Sequence, residues 1–333
     1  LVLAALQGTV LIPTPAWVSY MPQARMLRKR VVSMRLRRED GFKLTPDTLQ
    51  QGLAQASHPQ RILIFNHPNN PTGAVYDRTE LEALAEVCRQ NGVVVLSDEI
   101  YALTAFDEKK FTSFAAVYPE GTVVSTGLSK DRSCGGYRLG AGIFPARAHE
   151  LFRSAVAVAG STFSCVAAPI QHAAVEAYSG STAVEDYIRS CRSVHAVVGG
   201  VAATMFNALP GVRSTTPRGA FYLYVDFNDH RAELQSLGFG ACAQFAEDLL
   251  AVEHTAILPG EALLLPEDDF SSRCSFVDYD GAAVLDAWHR APPEDDLQRE
   301  QFVREHCPLV AGGIRRIARY FEQVRGTKRP QHV

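Results

Sequence analysis

The chain has 333 residues, 47% of them apolar and 21% charged, with a formal net charge of −3. That length holds one large or two ordinary domains with a sizeable core, the composition is globular, and the near-neutral charge gives no reason to expect a nucleic-acid or anionic-membrane partner. Seven scattered cysteines, without CxxC or Cys/His metal spacing, point to the cytoplasm or another reducing compartment, and no apolar run is long enough to span a bilayer.

Residues 1–6 read as the end of an apolar helix. Because the chain opens inside it, with Leu1 rather than Met, it is expected to be the C-terminal part of a longer protein or an incomplete gene product. Thr9-Val10-Leu11-Ile12 is a buried strand stopped by Pro13 and Pro15, and residues 30–35 form a second around Val31 and Val32. Thr45 caps a helix with Pro46 at its first position, running to about residue 56. Arg61-Ile62-Leu63-Ile64-Phe65 is a third strand, followed by a loop rich in Pro and Asn. Asp77 caps a helix through Leu81, Leu84, Ala85, Val87 and Cys88, with Asn91-Gly92 as its stop. Strands follow at 93–96, 122–125 and 140–144, then a long helical stretch over 166–208.

From Gly219 the pattern changes. A strand to Phe227, a helix over 241–252, a strand over 256–258, the short strand Ser275-Phe276-Val277 and a closing helix over 309–324 read as α+β. Apolar strands alternating with amphipathic helices predict an α/β fold with a mainly parallel sheet flanked by helices. The organisation expected is a large domain over 1–208 and a smaller C-terminal α+β domain over 209–333.

The chemistry-bearing residues fall just after apolar strands, where ligands of parallel sheets collect. Lys130 closes Ser125-Thr126-Gly127-Leu128-Ser129-Lys130, Asp98 follows Val93-Val94-Val95-Leu96, and Asn70 opens Asn70-Pro71-Thr72-Gly73. Tyr101 lies three residues past Asp98, Arg138 sits in Gly135-Gly136-Tyr137-Arg138-Leu139-Gly140, and Trp17 follows two prolines. One cofactor suits this set, pyridoxal 5'-phosphate. A lysine can form an imine with its aldehyde, a carboxylate can pair with its pyridinium N–H, and a guanidinium can hold its phosphate. A phenol and an amide can donate to its ring oxygen, and an indole can stack on the ring. Cys134, close to Lys130, reads as small filler in a tight loop.

In this order and at these spacings the motifs resemble the class I/II aminotransferases, the fold-type I pyridoxal-phosphate enzymes, over nearly the whole chain. The resemblance implies a homodimeric transaminase moving an amino group from an α-amino acid to a 2-oxo acid through a Lys130 aldimine. It assigns Asp98 to the ring nitrogen, Asn70 and Tyr101 to the ring oxygen, Arg138 to the phosphate, Trp17 to stacking, and Arg273 to the substrate α-carboxylate. No metal ligand is implied. Three departures stand out. The family's N-terminal segment, with a phosphate-binding loop at a helix N-terminus, is missing ahead of Leu1. Gly127 replaces a frequent serine. The stretch 160–164 lacks the arginine that some dicarboxylate-specific members use. The alternatives are a lyase using the same cofactor, a sensor domain of a regulator, and an inactive fragment.

Overall fold

The computed structural model describes residues 1–107 and 111–326, which fall into two compact units. The first holds Leu1–Asn70 and Ala74–Arg189, the second Pro71–Gly73 and the chain from Ser190 onward.

The first unit opens with α1 (Val2–Ala5), β1 (Thr9–Thr14), α2 (Tyr20–Met26), β2 (Val31–Arg35), α3 (Pro46–Ala54) and β3 (Arg61–Asn66). It continues with α4 (Arg78–Gln90), β4 (Val94–Asp98), β5 (Thr122–Gly127), β6 (Gly140–Ile143), α5 (His149–Thr162) and α6 (Ala168–Ala177). α7 (Thr182–Asn207) carries the division between units within it. The six strands form one sheet in the order β2-β1-β3-β4-β5-β6. All pairs are parallel except β5 with β6.

Strands buried on both faces need unbroken apolar runs, and these have them. Val10, Leu11 and Ile12 of β1 and Ile62 and Leu63 of β3 have no exposed surface. α4 shows why its boundary was readable. Asp77 accepts from the Glu80 amide at 2.9 Å, and Glu80 accepts from the Asp77 amide at 2.7 Å. That reciprocal capping box satisfies two orphan donors, and Leu81, Leu84 and Ala85 then turn inward.

The second unit holds β7 (Arg213–Ser214), β8 (Tyr222–Asp226), α8 (Arg231–Ser236), α9 (Cys242–Glu253), β9 (Leu258–Pro259) and β10 (Ser271–Ser275). It closes with α10 (Gly281–Arg290), α11 (Asp296–His306) and α12 (Pro308–Gly326). Its antiparallel sheet runs β7-β8-β10-β9. Phe227, Phe245, Tyr320 and Phe321 form an aromatic core, with ring centres 5.5–5.7 Å apart in the packed pairs.

Two expectations are corrected. The stretch over 166–208 is two helices, because Ser179-Gly180-Ser181 interrupts it with Gly180 at φ 74. The strand placed at Ser275-Phe276-Val277 lies instead at Ser271–Ser275, where buried serines rather than apolar residues pair with β8. Among the described residues, no helix is long and apolar enough to cross a membrane, and no cluster of His, Cys, Asp or Glu is arranged to hold a metal.

Candidate active site

The parallel strands β1, β3, β4 and β5 end on one edge of the first unit's sheet, and each delivers part of a site there. β4 ends on Asp98, opposite Asn66 of β3 and Ser125 of β5. The Asp98 carbonyl accepts from the Asn66 side-chain amide at 2.9 Å and from the His67 N–H at 3.1 Å, which fixes the strand end. Asn66 also accepts from the Asn70 N–H at 2.6 Å. The loop carrying Asn70 is thereby tied to the same strand end, and Asn70 is buried.

The Asp98 carboxylate is half-buried and held by three donors. Tyr20 O–H donates to Oδ2 at 2.6 Å, and the Ile100 N–H and Ser125 O–H reach Oδ1 at 3.3 and 3.5 Å. Desolvation pushes its pKa up, and the three hydrogen bonds and the charge of Lys130 oppose that shift. The Tyr20 phenol is pushed well above its ordinary value, first by burial and then by the Asp98 charge, so it remains a donor.

Trp17, half-buried, meets Tyr20 edge-to-face at 5.2 Å between ring centres. Trp17, Tyr20, Asp98 and Ser125 line a cavity of about 560 Å³ whose floor includes Leu96 and Val123. Tyr101 is buried, and its carbonyl accepts from the Thr104 N–H at 2.9 Å and the Thr104 hydroxyl at 2.8 Å. Lys130 Nζ lies 6.0 Å from the centre of the Tyr101 ring. Asp98, Tyr101, Lys130, Asn70 and Trp17 thus gather at one sheet edge.

The loop from Lys130 to Arg138 is tightly built. The Cys134 N–H donates to the Leu128 carbonyl at 3.0 Å, and its thiol points back to the Arg132 carbonyl at 3.0 Å, as expected of a filler. Gly127 is glycine for a spatial reason. A Cβ there would stand 2.7 Å from the Leu139 carbonyl oxygen and 3.2 Å from Gly140 Cα. The antiparallel approach of β6 leaves no room for the serine that is frequent at this position.

Arg138 sits apart from the cluster in one respect. Its side chain is exposed and donates to the Gly135 carbonyl at 2.7 Å, and its backbone is left-handed at φ 54. Arg273 belongs to the second unit. It lies on β10 opposite Tyr224, with its guanidinium 4.4 Å from the centre of the Tyr222 ring. In the same unit, Gly73 of the Asn-Pro-Thr-Gly motif has φ +70, and a Cβ on it would meet Pro217 at 2.6 Å.

Sequence reasoning missed Tyr20 and Asn66 as parts of the candidate site. The available signal was physical: a carboxylate ending a buried strand requires donors. Which groups supply them depends on tertiary placement.

The donor set fits pyridoxal phosphate. A half-buried, ionisable carboxylate still has lone-pair capacity for a cationic N–H, it lines a cavity beside an indole, and its acidity responds to the charge of a nearby lysine, Lys130.

The family profile described as "Aminotransferase class I and II" matches residues 2–276. The chain is 31% identical over 265 residues to an aspartate aminotransferase of Bacillus subtilis, covering 79% of this chain and 64% of that protein. It is 34% identical over 223 residues to an aspartate/prephenate aminotransferase of Cereibacter sphaeroides, covering 66% and 54%. Thus it spans a little under two thirds of the length of such curated relatives. An aromatic aminotransferase of Pyrococcus horikoshii superposes with a TM-score of 0.76 at 24% identity, covering 97% of this chain and 76% of that one. That likeness establishes the fold, a fold-type I architecture.

Proposed function

The chain belongs to the class I and II aminotransferases, and from that premise we propose that it forms the catalytic body of a pyridoxal 5'-phosphate-dependent transaminase. The reaction is transfer of an amino group from an α-amino acid to a 2-oxo acid. The observation that carries this reading is the half-buried Asp98, anchored by Tyr20 at 2.6 Å, on the sheet edge that also holds Lys130.

When bound, the cofactor supplies an aldehyde for the amino group and a cationic ring that takes up the electron pair released at the α-carbon. Everything else falls to the chain. Asp98 holds the ring N–H and keeps it protonated. Asn70 and Tyr101 donate to the ring oxygen, and Trp17 covers one ring face. Lys130 would be the residue that anchors the cofactor, and its Nζ would be the base that moves the α-proton. Arg138 serves the phosphate once it leaves the Gly135 carbonyl, and Arg273 serves the substrate α-carboxylate.

We read the first unit as the cofactor-binding body and the second as the smaller α+β domain. A homodimer is part of the proposal. Ile143 of β6, Phe152 and Val156 of α5 and Val175 of α6 are 60%, 49%, 54% and 71% exposed, large apolar groups that a partner subunit would cover. A reducing compartment accords with seven free cysteines. Relatives named for aspartate and prephenate make dicarboxylic amino acids the first substrates to assay.

The test is product analysis. The purified chain, supplied with pyridoxal phosphate, aspartate and 2-oxoglutarate, is expected to form oxaloacetate and glutamate in step. Ammonia released without a new amino acid would replace transamination by elimination. Sedimentation of a monomer at micromolar concentration would remove the dimer.

A further inference from the structure

The short hydrogen bond from Tyr20 to Asp98 deepens the cofactor reading, on which this inference rests. Tyr20 is the first residue of α2, one turn past Trp17, and its N–H donates to the Trp17 carbonyl at 3.2 Å. Its ring is buried against the Trp17 edge at 5.2 Å, so the phenol has little freedom to leave. Of the three donors to the Asp98 carboxylate, only Tyr20 makes a short bond, 2.6 Å against 3.3 and 3.5 Å. An O–H donating to an ionised carboxylate is among the stronger neutral-to-charged bonds, and a buried carboxylate without such a bond gains a proton instead.

We propose that Tyr20 is the positioning residue of Asp98. Its phenol fixes Oδ2 and keeps the carboxylate ionised, leaving the remaining lone pairs for the cationic ring N–H of the cofactor. One turn of chain then carries both the stacking indole and the anchor of the ring's counter-charge. The other groups acting on this pair are Lys130, whose charge favours ionised Asp98, Glu99, whose carboxylate interacts with it, and Tyr101, which adds to the field at Tyr20. The direction of every shift agrees. Burial raises Asp98, the Tyr20 bond lowers it, and Tyr20 itself is raised and stays protonated.

The experiment compares the native chain, Tyr20→Phe, Asp98→Asn and the double variant in binding pyridoxal phosphate, followed by absorption from pH 5 to 9. Tyr20→Phe keeps the ring and its packing and deletes one oxygen. It is expected to bind roughly tenfold more weakly, the loss of about one hydrogen bond to a charged group. The acid limb of its binding profile is expected to move up by about one pH unit, because Asp98 then takes its proton earlier. In the Asp98→Asn background, Tyr20→Phe is expected to add no loss of affinity. A purely structural role for Tyr20 would leave the acid limb in place. A native chain with a Lys130-dependent absorption band, and a Tyr20→Phe variant with the same affinity and limb, overturns this inference alone. A native chain that forms no such band overturns the cofactor reading and this role with it.

Discussion

The residues that follow Lys130 pin its loop to α6, and cutting that pin gives a large, calculable effect. Arg132 donates to Asp131 Oδ2 at 2.8 Å and to the Ala177 carbonyl at 2.7 Å, and its guanidinium lies 4.7 Å from the Tyr178 ring centre. The two side chains are 8% and 4% exposed, so water screens neither charge. Arg132→Ala removes the counter-charge, a donor to a carbonyl and a cation from an aromatic face. It also leaves a buried carboxylate whose Oδ1 already lacks a partner. Removing one member of a buried pair costs about 3–5 kcal/mol. For a unit of this size that is a fall of roughly 10 °C in melting temperature.

The pair itself is not a net source of stability. Burial raises the Asp131 carboxyl despite the opposing charge of Arg132. Replacing both residues, Arg132→Met with Asp131→Asn, is therefore expected to recover most of the loss. The sign with pH follows. A carboxyl whose folded value lies above its unfolded one binds more protons when folded, so the cost of Arg132→Ala shrinks as pH falls through the folded value. Thermal and urea unfolding by circular dichroism at pH 7 and pH 5 measures both effects. A loss under about 1 kcal/mol at neutral pH, well below the range for a broken buried pair, would refute the reasoning. A loss that the double replacement does not relieve would also refute it.

Gly127→Ser would press a side chain to within 2.7 Å of the Leu139 carbonyl and is expected to cost about 1–3 kcal/mol, read as a lower urea midpoint. Burial, helped by the charge of Lys43, pushes the His67 imidazole down to about 3. The unfolded chain then binds a proton that the folded chain refuses, so stability falls as pH drops from about 6.5 towards 3, by up to about 1.4 kcal/mol per pH unit. His67→Phe should flatten that slope in a pH series of melting temperatures. Asp77→Ala breaks the capping box of α4 and is expected to cost about 1 kcal/mol, measured by chemical denaturation.

How much of this was legible in the sequence depended on which physical signal each element carries. β1, β3, β4 and β5 were readable because strands buried on both faces are continuous apolar runs. α4 and α3 were readable because their caps are side-chain chemistry, Asp77 with Glu80 and Thr45 with Pro46. α5 escaped because no side-chain cap marks its start and several of its apolar groups face outward. β10 was misplaced because Ser271 and Ser272, buried almost completely, carry no hydrophobic signature. Within the candidate site, Lys130, Asp98, Asn70, Tyr101 and Trp17 were proposed from their position after strands, and the structure brings them to one sheet edge. Tyr20 did not stand out, since a phenol three residues past Trp17 acquires its role only when the fold brings the start of α2 within hydrogen-bond reach of Asp98.

The most direct test of the account is a visible absorption spectrum of the purified chain with added pyridoxal phosphate, beside Lys130→Ala. A pH-sensitive band that requires Lys130 and bleaches when an α-amino acid is added is the expected result. A spectrum that is merely that of free cofactor, identical in the native chain and in Lys130→Ala, would contradict it.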